Sequence, residues 1–201
     1  MIGSADFEEH LGRTTLVVAF AGGPLNQYQF GRVLEKLHVP HILLKDSSQQ
    51  HYRNGILGID GQIHSYILRK KVGFERVVTV GVSSGSYAAL KYGLLAYVDA
   101  VIAISPSTGR SEKTADDFPP EYRNQIIDPD FPDLDLKHLY RNWKNIRPRV
   151  HAFISDGQGC ELDRGMCERI GITDITVVPG YTHAELARGM RDKGMFKELF
   201  Q

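Results

Sequence analysis

The sequence predicts an α/β protein: a doubly wound, mostly parallel sheet of about six strands with helices on both faces. Three observations carry that prediction. Six short apolar runs recur along the chain, they are continuous rather than alternating, and helical periodicity fills most of the intervals between them. A continuous apolar run reads as a strand covered on both faces, as in a parallel sheet. Strand–helix alternation then implies right-handed crossovers and a single layered domain spanning residues 1–201.

Taken in order, residues 15–20 (TLVVAF) form the first strand, followed by Gly22-Gly23 and a helical pattern over 27–37. Residues 41–44 (HILL) form the second, leading into Lys45-Asp46 and a helix over 61–72. The third, 77–80 (VVTV), breaks into Gly81-Val82-Ser83-Ser84-Gly85 before a helix over 84–96. The fourth is 101–105 (VIAIS) and the fifth is 150–155 (VHAFIS). An acid-rich turn over 156–163 and a helix over 164–170 come next. The sixth, 175–178 (ITVV), ends in Pro179-Gly180 and in His183, which opens the last helix. Sites in such sheets lie at the carboxyl ends of the strands, where these polar residues fall. Residues 107–149 break the rhythm with a polar, proline- and acid-rich stretch and then a helix from about Asp135. A long irregular interval of this kind is expected to be a small lid or insertion over the site, a mobile surface loop being the alternative.

Composition removes several function classes. The 201 residues carry 24 basic and 24 acidic side chains, so the formal charge is zero. Nucleic-acid and polybasic membrane-surface binders normally show a basic excess. The first residues are acidic and lack the apolar stretch of a secretory signal, and no run approaches the roughly 20 apolar residues of a membrane span. Cys160 and Cys167 have neither metal-site nor redox-motif spacing and are expected to stay reduced in a cytoplasm. The eight histidines form no zinc-binding cluster, and no phosphate-binding loop is present, so neither a metal nor a cofactor is expected.

The chemistry concentrates at Ser83. The G-x-S-x-G spacing has a physical cause: a tight strand-to-helix turn holds its serine in a strained backbone conformation. Side chains two residues before or after it would collide with the strand or the helix. A serine hydroxyl needs a base to take its proton and a third group to orient that base. His183, alone among the histidines, follows the last strand. The loop before it offers three carboxylates. Asp156 lies nearest the strand end, Asp163 sits where a helix could begin and could simply cap it, and Glu161 could do either job. The oxyanion of the reaction requires backbone donors. The candidates are Ser84, at the positive end of its helix, and Gly22, Gly23 or Leu25 in the loop after the first strand, since Pro24 has no N–H.

With these residues in view, the chain resembles α/β-hydrolase-fold serine hydrolases, and in particular small bacterial members. The GVSSGSYAAL elbow, the FAGG loop and the late histidine carry the resemblance, which spans nearly the whole length. Further likenesses are Lys45-Asp46 followed by Tyr52, the Ser105-Pro106 step, and the late helix running from Asp163 to Ile170. The resemblance favours Asp163 as the acid with Asp156 second, although SDGQGCELD replaces the usual acid loop. It implies a trimmed version of the fold that lacks the first strands, unless residues 1–12 supply a remnant. Asp46 and Tyr52, with Lys45, His51 and Arg53, are candidates for a polar substrate-side patch, a solvated loop being the alternative.

The expected function is a cytoplasmic, cofactor-independent serine hydrolase acting on a small-molecule carboxylic ester or thioester. The polar entrance suggests a small acyl group such as acetyl. Acyl transfer on the same residues is the alternative within catalysis, and a non-catalytic binding module that kept the fold is the alternative outside it.

Overall fold

In a computed structural model, residues 15–23, 29–46, 51–52, 62–157 and 159–200 are described. Residues 1–12, Leu25 and Arg53 lie outside them. Six strands appear where the apolar runs predict them: β1 (Thr15–Phe20), β2 (His41–Leu44), β3 (Arg76–Val82), β4 (Ala100–Ile104), β5 (Arg149–Ser155) and β6 (Ile175–Val178). Every pairing is parallel, in the order β2-β1-β3-β4-β5-β6. The chain winds outward from β1 to β2, then crosses back over β1 to β3 and continues the other way. The order therefore reverses between β1 and β3, and in open α/β sheets ligands bind in the crevice at such a point.

The helices that cover the sheet are α1 (Gly31–Lys36), α2 (Ile63–Lys70), α3 (Ser84–Leu95) and α7 (Cys160–Glu168), with α8 (Leu186–Asp192) and α9 (Met195–Phe200) closing the chain. They form two apolar layers. Leu16, Val18 and Phe20 of β1 meet α2, α3 and α7 on one face. Val17 and Ala19 meet Leu34 of α1 and Leu186, Met190, Phe196 and Phe200 of the last two helices on the other. Alternate residues of one strand thus feed opposite cores, which is why the runs are apolar without interruption. Each fully buried Leu or Ile contributes about 1.5–3 kcal/mol over its exposed state.

The interval after β4 is more structured than its composition suggests. It holds α4 (Glu112–Ala115), a 3₁₀ turn (Pro120–Tyr122), α5 (Arg123–Ile126) and α6 (Lys137–Asn142). An antiparallel bridge between Gly109 and Asp135 closes its base, flanked by Arg110 N–H to Leu134 O at 2.7 Å and Leu136 N–H to Thr108 O at 2.8 Å. The buried guanidinium of Arg169, just after α7, joins this segment to the body. It forks onto Asp135 at 3.0 Å through both nitrogens and reaches Asp117 at 2.9 Å.

Candidate active site

At the end of β3 the backbone turns through Ser83 at φ 50° and ψ −117°, a conformation that side chains avoid. The neighbouring glycines make the turn possible by close approach. A Cβ on Gly81 would lie 2.1 Å from the Gly85 carbonyl oxygen, and one on Gly85 would lie 2.4 Å from that of Phe20. The Ser83 N–H donates to Ile104 O at 3.0 Å, and its own carbonyl accepts from Ser86 N–H at 2.9 Å. The Ser86 hydroxyl also donates to that carbonyl and accepts from Ser107 N–H at 2.8 Å, so it ties the elbow to the loop after β4.

His183 stands in the turn before α8 rather than opening a helix, because α8 starts only at Leu186. Its Nε2 is 3.3 Å from Ser83 Oγ, and its Nδ1 is 2.9 and 3.1 Å from the two oxygens of Asp163. A ring held at Nδ1 by a carboxylate keeps Nε2 directed at the hydroxyl. The Asp163 side chain is only 3% exposed and that of His183 is 39% exposed, so the acid is shielded while the base faces the opening. Ser105, itself in a positive-φ conformation, donates its hydroxyl to the His183 carbonyl at 2.9 Å.

The other two acids of the loop are engaged elsewhere. Asp156 is exposed and accepts from Gly180 N–H at 2.8 Å, which braces the turn carrying His183. Glu161 accepts from the Tyr122 hydroxyl at 2.7 Å. Helix α7 begins at Cys160 with Gly159 as its cap, four residues earlier than the expected start at 164. Asp163 therefore lies inside the first turn, pointing inward, and is not a cap.

The backbone donors are partly occupied. Gly22 N–H donates to Gln29 Oε1 at 2.8 Å, and Gly23 N–H donates to Ser84 Oγ at 2.9 Å. Gly22 is also a packing glycine, since a Cβ there would sit 2.0 Å from Val82 O. Ser84 is the first residue of α3, so its N–H has no helical carbonyl to bond. The Gly23 N–H is thus taken up by the Ser84 hydroxyl, while the Ser84 N–H stands at the start of α3.

The polar patch after β2 needs correcting at Tyr52. That side chain is 1% exposed, not substrate-facing. Its hydroxyl lies 2.8 Å from Ala21 O and 3.1 Å from Leu44 O, sharing its proton between them. A tyrosine buries its ring while its hydroxyl takes a backbone acceptor, and here the acceptor belongs to the loop bearing Gly22 and Gly23. Asp46 closes the turn by accepting from Tyr52 N–H at 2.8 Å. His51 packs edge-on against Phe131, with ring centroids 4.7 Å apart, and burial pulls its pKa down. On α7, burial pushes the Cys167 thiol up to about 12, which keeps it from acting as a thiolate.

A small cavity opens over Ser83 and His183, walled by Ile126, Leu162 and Met166 and by the polar side chains of Arg110 and Gln125. Sequence reasoning missed Ser86, Arg110 and Gln29, and it marked Ser105 without giving it a role. Only the Ser105-Pro106 step carried a signal, because the other three act through contacts between distant segments.

No family model matches the sequence, and a comparison with curated proteins finds no similar one. Solved structures do match. The capsule O-acetyltransferase of Neisseria meningitidis serogroup A has a TM-score of 0.66 at 14% identity, over 94% of this chain and 87% of that one. Acetyl xylan esterase 1 from a Thermoanaerobacterium species has a TM-score of 0.60 at 18% identity, over 96% and 77%. A peroxisomal alpha-beta-hydrolase from Saccharomyces cerevisiae has a TM-score of 0.53 at 14% identity, over 93% and 77%. Identities this low speak to fold alone. Six parallel strands that reverse their order between β1 and β3, together with the likeness to these structures, give the chain a trimmed α/β-hydrolase fold.

Proposed function

We propose that the protein is a serine hydrolase of carboxylic esters or thioesters that works through an acyl-enzyme. Ser83 attacks the acyl carbonyl, and His183 Nε2 takes the hydroxyl proton and returns it to the leaving alcohol or thiol. Asp163 holds the ring and stabilises the imidazolium. The Ser84 and Gly23 N–H groups receive the oxyanion, which displaces the Ser84 hydroxyl from Gly23. Water, deprotonated by His183, then releases the acid. The observation that supports this most directly is the unbroken series Ser83–His183–Asp163 at 3.3 and 2.9 Å, on a serine held at positive φ.

The segment over 107–149 serves as a partial lid, since Arg110, Gln125 and Ile126 come from it. The small cavity suits a short acyl group such as acetyl. No cofactor takes part in these steps, and the partner is a small-molecule substrate. The balanced charge gives no support to a nucleic-acid or membrane-surface partner. Two unpaired cysteines on one helix support a reducing compartment such as the cytoplasm. Acyl transfer is the second reading, favoured by a His183 ring exposed enough for an alcohol to replace water, and by the likeness to an O-acetyltransferase.

A fluorophosphonate probe should label the protein with the adduct on Ser83. Ser83→Ala should fold and lose both labelling and roughly three or more orders of magnitude in ester turnover. An adduct on Ser84 or Ser86, or none, would sink the proposal. Partitioning of acyl product between water and an added alcohol separates hydrolysis from transfer.

A further inference from the structure

The geometry points to Arg110 as the recognition residue for an anionic group, a carboxylate or phosphate, borne by the ester beside the bond that Ser83 attacks. This rests on the serine-hydrolase reading above. Arg110 lines the same cavity as Ser83 and His183. Its backbone is fixed on both sides, by its N–H to Leu134 O at 2.7 Å and by Asp128 N–H to its carbonyl at 3.0 Å. The side chain therefore leaves a rigid base.

The guanidinium is underused. Its one polar contact among the described residues is Nη1 to Gln125 O at 3.3 Å, and no described carboxylate pairs with it. A guanidinium carries five N–H donors. The contrast within the molecule is sharp: Arg169 spreads its donors over Asp117, Asp135 and Thr108, and Arg123 pairs with Asp116 at 3.2 Å. The nearby Asp128 carboxylate accepts from Asp130 N–H at 3.1 Å instead. Its charge is felt at His51, whose pKa is lowered by burial first and by Arg110 second, against the opposing pull of Asp128 and Asp46. The cavity's one carboxylate, Asp163, is held by His183. An arginine on that wall that pairs with no described acid is built for a ligand's anion, which its planar fork binds through two parallel hydrogen bonds. Ile126, Leu162 and Met166 line the remaining wall, where they exclude water and strengthen that pairing.

The test uses phenyl acetate as the neutral ester and three anionic counterparts. Monophenyl succinate carries a carboxylate on the acyl side, 4-acetoxybenzoate carries one on the leaving-group side, and 4-acetoxyphenyl phosphate carries a phosphate there. The wild type should prefer at least one anionic ester over phenyl acetate. Arg110→Gln should lower that kcat/KM ratio by about ten- to a hundredfold, mostly through KM. Arg110→Lys, which keeps the charge and loses the fork, should fall between them. The wild-type ratio should also drop as salt rises, a readout of the charge that needs no substitution. The inference is overturned by a wild type with no anionic preference, or by a ratio that Arg110→Gln and salt leave within twofold. Calorimetry of the same anionic esters on Ser83→Ala, with and without Arg110→Gln, separates the two claims. Arg110-dependent binding without Ser83-dependent turnover upholds the anion site and defeats the hydrolase reading. Ser83-dependent turnover indifferent to Arg110 does the reverse.

Discussion

At Ser83 the molecule holds a non-glycine residue where glycine is the comfortable choice, at φ 50° and ψ −117°. Strain of this kind costs of order 1–3 kcal/mol and persists only because the surroundings enforce it. Ser83→Ala keeps the Cβ and should leave thermal stability near wild type. Ser83→Gly removes it and should raise stability by about 1 kcal/mol while abolishing turnover, the sign of a site where function is held against stability. Equal melting temperatures for the two variants would show that the turn is not strained. The acids separate as cleanly. Asp163→Asn should keep the fold and lose up to about 10⁴-fold in turnover, because the amide favours the wrong imidazole tautomer. Asp156→Asn weakens only a hydrogen bond to Gly180 and should cost about 1 kcal/mol or less. The reverse ranking, measured as kcat and melting temperature, would make Asp156 the partner of His183.

Helix α7 does two jobs that its sequence does not advertise together. Its first turn carries Asp163 to His183, and Arg169 just past its end fastens the segment between β4 and β5. With a side chain 3% exposed and two carboxylate partners, Arg169 is a buried ion-pair hub. Removing one partner from such a hub leaves an uncompensated charge, at about 3–5 kcal/mol. Arg169→Met should therefore destabilise by that amount and slow turnover as well, since Ile126 and Arg110 ride on the fastened segment. The hub also predicts acid sensitivity. Burial pulls the Asp117 carboxyl up, but hydrogen bonds and charge from Lys137 and Arg169 outweigh it and hold it below its usual range. A depressed carboxylate contributes stability above its unfolded pKa of about 3.9, and that contribution is lost as pH falls through the lower folded value. Asp117→Asn should flatten the stability profile below about pH 4, and an unchanged slope in acid urea titrations would remove Asp117 from the account. Composition alone made the segment over 107–149 look irregular. Its order comes from Arg169 and from the Gly109–Asp135 bridge, pairings between residues far apart in sequence that no local pattern announces.

Across the whole molecule, what could be read in advance was local. Continuous apolar runs marked all six strands, and the glycines around Ser83 marked the elbow, because both depend on neighbours within a few residues. Tyr52 looked like a polar loop residue because nothing near it in sequence reveals the carbonyls of Ala21 and Leu44 above it. Asp163 and Asp156 stayed unresolved for the same reason: only the start of α7 at Cys160 turns one inward and leaves the other on the surface. The topology also sets how the site fails. Ser83 hangs from β3, which is paired on both sides, whereas His183 follows β6, which among the described residues is an edge strand paired with β5 through four residues. Val177 of that strand is 42% exposed, and local stability falls from a fold's core strands toward its less buried edges. Local opening at β6 would carry His183 away from Ser83 while the sheet's centre stays intact. In a urea titration, ester turnover should therefore disappear before far-ultraviolet circular dichroism changes, and amides of β6 should exchange with solvent faster than those of β1, β3 and β4. Coincident loss of activity and secondary structure, with uniform protection across the sheet, would mean that the edge carrying His183 is as firmly held as the strand carrying Ser83.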